Sequence, residues 1–352
     1  MTPRKRGLGC TQASPINLNE GKLMNKKLIA LAVASAVVAP AALADTSNVN
    51  IYGKVNVGVV YDSKYTSGER QLKVDNLATS SRIGFKGEED LGGGTKAFFQ
   101  LESGVAPDDA SASGWATREG WVGMKFGSSA IALGRGKSAY QLFLEEFDLF
   151  DVALTLGLNE VDGNNKGRFN NSAKFTGDYG PVSVAASLAL GENKTAKDNS
   201  SWDFAGSLKY AAGPVWVGGA VDVEERVGAA ATAVDRRNYL LGVGYTMGAV
   251  SLGGAFQKAK AEMSTGGAKV QDRNSFLFNA AYAMGQSELQ GGLIIARKNN
   301  DVKDSEYNHY VFGFKQGLSK RTAVKIELGH IDFKVDGKND PTTFGVGVMH
   351  NF

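Results

Sequence analysis

The stretch Ser80-Ser-Arg-Ile-Gly-Phe-Lys-Gly-Glu-Glu-Asp-Leu-Gly-Gly-Gly-Thr-Lys-Ala-Phe-Phe-Gln-Leu-Glu102 reads as a β-hairpin with two alternating arms. On the first arm Ile83, Phe85 and Gly87 share one face and Arg82, Gly84 and Lys86 the other. On the second, Ala97, Phe99 and Leu101 oppose Lys96, Phe98, Gln100 and Glu102, because successive side chains along a strand point to opposite sides. The turn between the arms is polar and glycine-rich. A soluble sandwich would press the apolar face onto a second sheet, whereas a membrane barrel would turn it to lipid and line water with the polar face. The choice rests on whether the pattern repeats to the last residue and whether the chain carries an export signal.

The pattern does repeat. In 48–61, Val49, Ile51, Gly53, Val55, Val57, Val59 and Tyr61 share one face, with Asn50, Tyr52, Lys54, Asn56 and Gly58 opposite. A polar segment, 62–78, leads to the hairpin. Paired alternating runs follow at 118–126 and 130–134, 168–177 and 182–190, 202–210 and 215–224, 238–245 and 250–257, 275–282 and 287–295, and 307–315 and 322–333. The chain ends on 343–352, with Phe344, Val346, Val348, His350 and Phe352 on one face. The expectation is an all-β fold of sixteen strands, joined by seven tight turns on one side and eight longer loops on the other. Outer-membrane barrels have this asymmetry, with short periplasmic turns and longer outer loops. Tyr61, Tyr210, Tyr245, Tyr282 and Phe352 at strand ends fit the interfacial aromatic girdles. Glycine, at 45 residues, falls largely inside the alternating runs, where it weakens a strand unless neighbouring backbone or crowded aromatics use the space.

Residues 24–44 have a basic start (Lys26, Lys27), an apolar middle and a small-x-small end at Ala42-Leu43-Ala44. This is the form of a secretory signal peptide. A transmembrane anchor would need ~20 apolar residues, and the run 28–39 is too short. Residues 1–23 read as an extension from an early start, leaving 45–352 as the mature barrel. Removal of 1–44 leaves 33 basic and 35 acidic residues and takes away Cys10, the only cysteine. The basic pI of the full sequence therefore carries no implication of nucleic acid, and no disulfide is expected. No later run approaches the length of a membrane helix, so a membrane-embedded chain of this sequence spans as strands.

Four elements together, the first strand Ile51-Tyr-Gly-Lys-Val-Asn-Val-Gly-Val, the hairpin Ser81-Arg-Ile-Gly-Phe-Lys-Gly-Glu-Glu-Asp-Leu-Gly-Gly-Gly, the segment Trp121-Val-Gly-Met with Leu133-Gly-Arg135, and the ending Gly345-Val-Gly-Val-Met-His-Asn-Phe352, resemble the general diffusion porins of Gram-negative bacteria. The likeness is greatest to the β- and γ-proteobacterial group related to neisserial porins. It implies a homotrimer of sixteen-stranded antiparallel transmembrane β-barrels in the outer membrane, among its lipid and lipopolysaccharide. Each barrel would hold a water-filled channel for passive diffusion of small hydrophilic solutes and ions, narrowed by a long third outer loop folded into the pore. The resemblance further implies that the strand ending in Phe352 is read by the barrel assembly machinery. Arginines matching Arg82, Arg135 and Arg168 would face an acidic loop across the constriction. The chain departs from the enteric members in lacking a Pro-Glu-Phe-Gly-Gly element between Arg135 and Arg168.

The residues point the same way. Segment 136–167 is the longest connection, and such loops are usually functional or disordered. It contains Phe143-Leu-Glu-Glu-Phe-Asp-Leu-Phe-Asp151, in which Glu145, Glu146, Asp148 and Asp151 interleave with large apolar residues. That pattern suits a loop packed on an inner wall while presenting charge to water; the alternative is an outer loop in solvent. Arg82, Lys86 and Arg168 lie on polar faces and would supply the opposing charge, although wet strands carry charges in any case. Arg135 shares parity with Ile131 and Leu133. A lipid-facing charge costs ~2–4 kcal/mol at the midplane, so the strand must bulge or end at Gly134. With both signs at the waist, the expected ion preference is weak.

Three other functions remain open. A barrel hydrolase needs a nucleophile, base and orienting group in contact, and the three histidines His309, His330 and His350 form no evident pair. No Gly-x-Ser-x-Gly element is present, and no cofactor or metal is implied. A substrate-selective channel needs an aromatic or single-sign ladder in the lumen, for which Tyr52 and Trp216 are candidates without forming a ladder. The third is a non-conducting adhesin.

Overall fold

The computed structural model describes residues 48–63, 70–77, 80–109, 114–148, 167–191, 202–227, 233–300, 302–303, 305–335 and 340–352. The expected extension and signal peptide, 1–44, and Asp151 lie outside them. The strands are β1 (Asn48–Asp62), β2 (Gln71–Asp75), β3 (Arg82–Gly92), β4 (Thr95–Gly104), β5 (Glu119–Phe126), β6 (Ser129–Lys137), β7 (Arg168–Tyr179), β8 (Val182–Leu190) and β9 (Trp202–Ala212). They continue with β10 (Val215–Val227), β11 (Val234–Met247), β12 (Val250–Met263), β13 (Lys269–Met284), β14 (Ser287–Ala296), β15 (Tyr307–Gly317), β16 (Thr322–Phe333) and β17 (Thr342–Asn351).

Every neighbouring pair is antiparallel, and the sheet closes because β1 bonds to β17 on one side and to β2 and β3 on the other. The seventeen segments make sixteen staves: β2 pairs with Gly58–Asp62 of β1 and β3 with Asn48–Lys54, so the two share one position in the wall. The polar segment before the hairpin therefore continues the barrel. The break between β2 and β3 is stitched by side chains, with Asn56 N donating to Ser81 Oγ at 2.9 Å and Ser81 Oγ to Asn76 Oδ1 at 2.7 Å. Six of the seven tight turns place glycine at positive φ (Gly93, Gly127, Gly180, Gly213, Gly248, Gly285), a conformation costly for other residues in such hairpins.

The burial is inverted relative to a soluble protein. Ile51 (62 % exposed) and Leu241 (63 %) face outward, while Asn56 and Glu224 are fully buried on the inward side. A closed barrel leaves no unpaired edge, so each backbone donor within the lipid has its partner in the wall. The outward set deduced for β1 and β17 matches this exposure, with Val49 and Val348 open and Lys54 buried, and β9 follows the same alternation, with Leu208 open and Asp203 buried.

Two differences from the sequence expectation have physical causes. Strands β11, β12 and β13 run several residues beyond the alternating apolar runs, because above the lipid the ladder continues while its outward residues become Lys258, Lys260 and Asp272. Apolar alternation reports lipid, not hydrogen bonding. Second, β6 continues to Lys137 rather than stopping at 134; of the two outcomes expected at Gly134, a bulge or an end, it takes the bulge, its register with β7 shifting between Gly134 and Gly136, with Gly134 at φ +140°.

Candidate functional site

Ser138 caps a short helix, α1 (Ala139–Leu144), its Oγ accepting from Gln141 N at 3.2 Å, the usual way to satisfy a free helical N–H. A 3-10 turn, Glu145–Phe147, follows. Together they leave the rim of β6 and pack onto the inner wall. Tyr140, Phe143, Leu144 and Phe147 are buried against Phe169, Ala189, Ala205, Ala220, Leu240 and Leu277. Ala139 N donates to Ser187 Oγ (3.1 Å), Gln257 Nε2 to Tyr140 Oη (2.9 Å) and Asn279 Nδ2 to Phe147 O. Phe143 and Phe147 meet edge-on at 5.7 Å, and both contact Trp216, at 5.9 and 5.1 Å.

Glycine makes room for these rings. A Cβ at Gly218 would press on Phe143, one at Gly242 would overlap Phe147, and one at Gly244 would overlap Trp216. Here the crowded aromatics expected from the glycine content occupy the space. Replacing both Phe143 and Phe147 with alanine removes this anchor, at about 3–5 kcal/mol for each buried ring. The expected result is a barrel of normal heat resistance whose single-channel current becomes noisy. Quiet channels of unchanged size in the double variant would show that the loop is held by other contacts.

The opposite wall carries a charged band. Arg82 lies 3.9 Å and Arg118 2.7 Å from the Glu102 carboxylate, which also accepts from Tyr52 Oη at 3.0 Å. On the next strands Arg168 is 3.5 Å from Glu119, and Trp121 Nε1 donates to Glu119 at 2.6 Å. Lys174 sits over the Trp121 ring at 4.2 Å, a cation–π placement. From the loop, Glu145 bonds Lys137 at 2.6 Å and accepts from Gln141 at 3.0 Å, within electrostatic reach of Arg168 and Lys174. Glu146 pairs with Lys209 at 2.6 Å.

Of the residues singled out from sequence, Arg82 and Arg168 belong to this wall band and Glu145 lies within electrostatic reach of Arg168, while Glu146 pairs with Lys209 of β9. Asp148 follows at the end of the 3-10 turn. Lys86 lies nearer the tight-turn end, over the Tyr52 ring at 5.1 Å, beside a recess lined by Asn50, Glu88, Lys96 and Lys125. Arg135 is not brought to the group. It pairs with Gly120 on the face shared with the exposed Val122, and donates to Thr117 O at 2.8 Å and to Asn170. Its charge is thus met by polar partners near the loop end of β6, one from the segment before β5 and one from the start of β7. Sequence reasoning passed over Arg118, Lys137 and Lys209, and the wall acids Glu102 and Glu119. Parity places Glu102 on the polar face, but only the register Glu102↔Glu119 reveals the shared band.

A closed barrel with an apolar exterior and a charged lumen defines an outer-membrane channel. Residues 30–337 match the model of the family described as Gram-negative porin. The chain is 30 % identical over 338 residues to outer membrane porin protein 32 of Delftia acidovorans, covering 92 % of each. It is 27 % identical to major outer membrane protein P.IB of Neisseria meningitidis, covering 94 % of this chain and all of that one. Its fold superposes on the anion-selective porin from Comamonas acidovorans with a TM-score of 0.78 at 25 % identity, over 87 % of this chain and all of the other. The chain belongs to the Gram-negative porin family. It is an outer-membrane porin, a channel for passive diffusion.

Proposed function

We propose that the diffusion channel narrows between the α1 loop and the wall of β3–β7, and that this waist gives a weak preference for anions. The observation that carries the reading is the relative exposure of the paired charges. The side chains of Arg82, Arg118 and Arg168 are 23, 19 and 22 % exposed, whereas those of Glu102 and Glu119 are each 9 % exposed. An ion in the lumen therefore meets guanidinium before carboxylate. Glu145 and Glu146 temper the effect from the loop side, which keeps the preference weak. The anion-selective relative agrees in direction. The test is the zero-current potential of the reconstituted wild-type channel in a KCl gradient. A sign corresponding to chloride preference is expected; cation preference would overturn the assignment.

The same reading takes 45–352 as the mature chain, without enzymatic activity, and three barrels as the working unit. The exposure of Trp115, 80 % open and with its ring centroid 6.3 Å from that of Phe85 at a tilt of 44°, supports an apolar contact with a neighbouring barrel. Conductance steps in equal triplets would support the trimer, and single steps would count against it.

A further inference from the structure

The interrupted stave carries one apolar side chain into the barrel. We propose that Leu77 pins an inward fold of the chain at the break between β2 and β3, and that this fold is a second face of the throat, opposite α1, which sets with it the largest solute that passes. The inference rests on the reading of α1 as one side of the waist and adds to it a size limit that does not depend on charge.

Two glycines give the placement. Gly58 of β1 and Gly347 of β17 are register partners, and both point inward, since the neighbouring Val59, Val346 and Val348 are exposed on the outer face. A Cβ on either glycine would overlap the Leu77 side chain, so Leu77, fully buried, stands where inward side chains of these two strands would otherwise be. Glycine allows so close an approach. The backbone of Leu77 is inside the wall as well, because its carbonyl accepts from Nδ2 of the inward, buried Asn56. Beyond the break Ser81 ties the chain back to β1 and to Asn76, its N and Oγ donating to Asn76 Oδ1 at 3.0 and 2.7 Å.

The α1 segment is held by the same device. Gly218 of β10 and Gly242 of β11 are also register partners, and the space above them is taken by Phe143 and Phe147. The two glycine pairs stand at one height. Gly58 and Gly347 are each about five residues from Gly53 and Phe352, whose backbones bond to each other at the periplasmic end of the seam. Gly218 and Gly242 are about five to six residues from the turn glycines Gly213 and Gly248. Strands that share one tilt climb equally per residue, so the two apolar anchors are level. Around the wall they are half a circuit apart: with β2 and β3 sharing one stave, β10 and β11 are the ninth and tenth of sixteen, and β17 and β1 the sixteenth and first. The lumen is thus narrowed from opposite sides, and pore diameter at such a constriction decides which solutes pass.

The test uses the full barrel, refolded and inserted in a planar bilayer, with neutral polyethylene glycols of graded size in the bath; a polymer small enough to enter lowers the conductance. Leu77→Ala should raise the single-channel conductance and admit larger polymers than wild type. Leu77→Met, which keeps the apolar volume, should behave as wild type. Asn56→Ala, which leaves Leu77 in place and removes the amide beneath its carbonyl, should move the limit the same way by a smaller amount, and it decides the matter if Leu77→Ala gives no heat-resistant barrel. Unchanged conductance and polymer limit in these alanine variants, or a Leu77→Met channel as wide as Leu77→Ala, would overturn the second face. A limit that widens only in the Phe143→Ala/Phe147→Ala variant would overturn it too, and would leave α1 as the sole inward element of the waist.

Discussion

Removal of Phe352 is expected to leave export across the inner membrane intact while sharply lowering the amount of folded barrel in the outer membrane. The structure gives this residue two separable contributions. Its backbone closes the barrel: Gly53 N donates to Phe352 O and Phe352 N to Gly53 O, both at 3.1 Å. These are the lowest rungs of the β1–β17 seam, and each such bond contributes about 0.5–1.5 kcal/mol net. Its ring, 44 % exposed, lies on the outward face in line with Val346 and Val348, where an assembly receptor can reach it. Phe352→Ala keeps the backbone pair and removes the ring. If the ring is an assembly signal, both variants lose folded barrel in cells, yet Phe352→Ala refolds in detergent to a heat-resistant barrel as wild type does. Normal cellular amounts of heat-modifiable, protease-resistant barrel for Phe352→Ala would refute the signal and leave only the seam.

Neutralising Arg82, Arg118 and Arg168 together should move the channel toward cations. At about 8 Å in water, one unit charge contributes roughly 0.5 kcal/mol to the energy of a passing ion. At physiological salt about one Debye length lies between them, which cuts that figure to about a third. Each arginine acts with opposite sign on anion and cation, so removing three changes the permeability ratio roughly five- to ten-fold. Glutamine replacement of Glu145 and Glu146 should shift the ratio the other way. It would also release Lys137 and Lys209, their partners at 2.6 Å. The measurement is the zero-current potential in a KCl gradient for each variant. No shift in the arginine variant, or a shift toward anions, would mean that the conducting path does not run beside this band. The mature net charge is a poor guide to the outcome, because the wide vestibules are screened and only a narrow waist keeps its field.

The strand pattern was legible in the sequence because lipid on one side and water on the other impose a period of two that no other solvent arrangement sustains over sixteen staves. The same rule predicted an irregularity at Arg135: β6 bulges there against β7, and the charge, still on the outward parity, is met by Thr117 O and Asn170. The acidic, apolar stretch around Phe143 and Glu145 was recognisable as a loop with two solvents to satisfy, one of them the inner wall.

What the period of two could not show is height and neighbourhood. β2 escaped because its stave is interrupted, and the upper parts of β11–β13 escaped because water on both faces removes the alternation while the hydrogen-bond ladder goes on. Arg118 and Glu119 became part of the waist only through their contacts with Glu102 and Arg168, residues 16 and 49 positions away. The place of Arg135 at the rim rather than the waist was likewise decided by the shifted register with β7. Parity is a property of the local backbone, so the sequence determines which way each side chain faces. Register is set by pairing between distant strands, so only the closed barrel decides which charges meet.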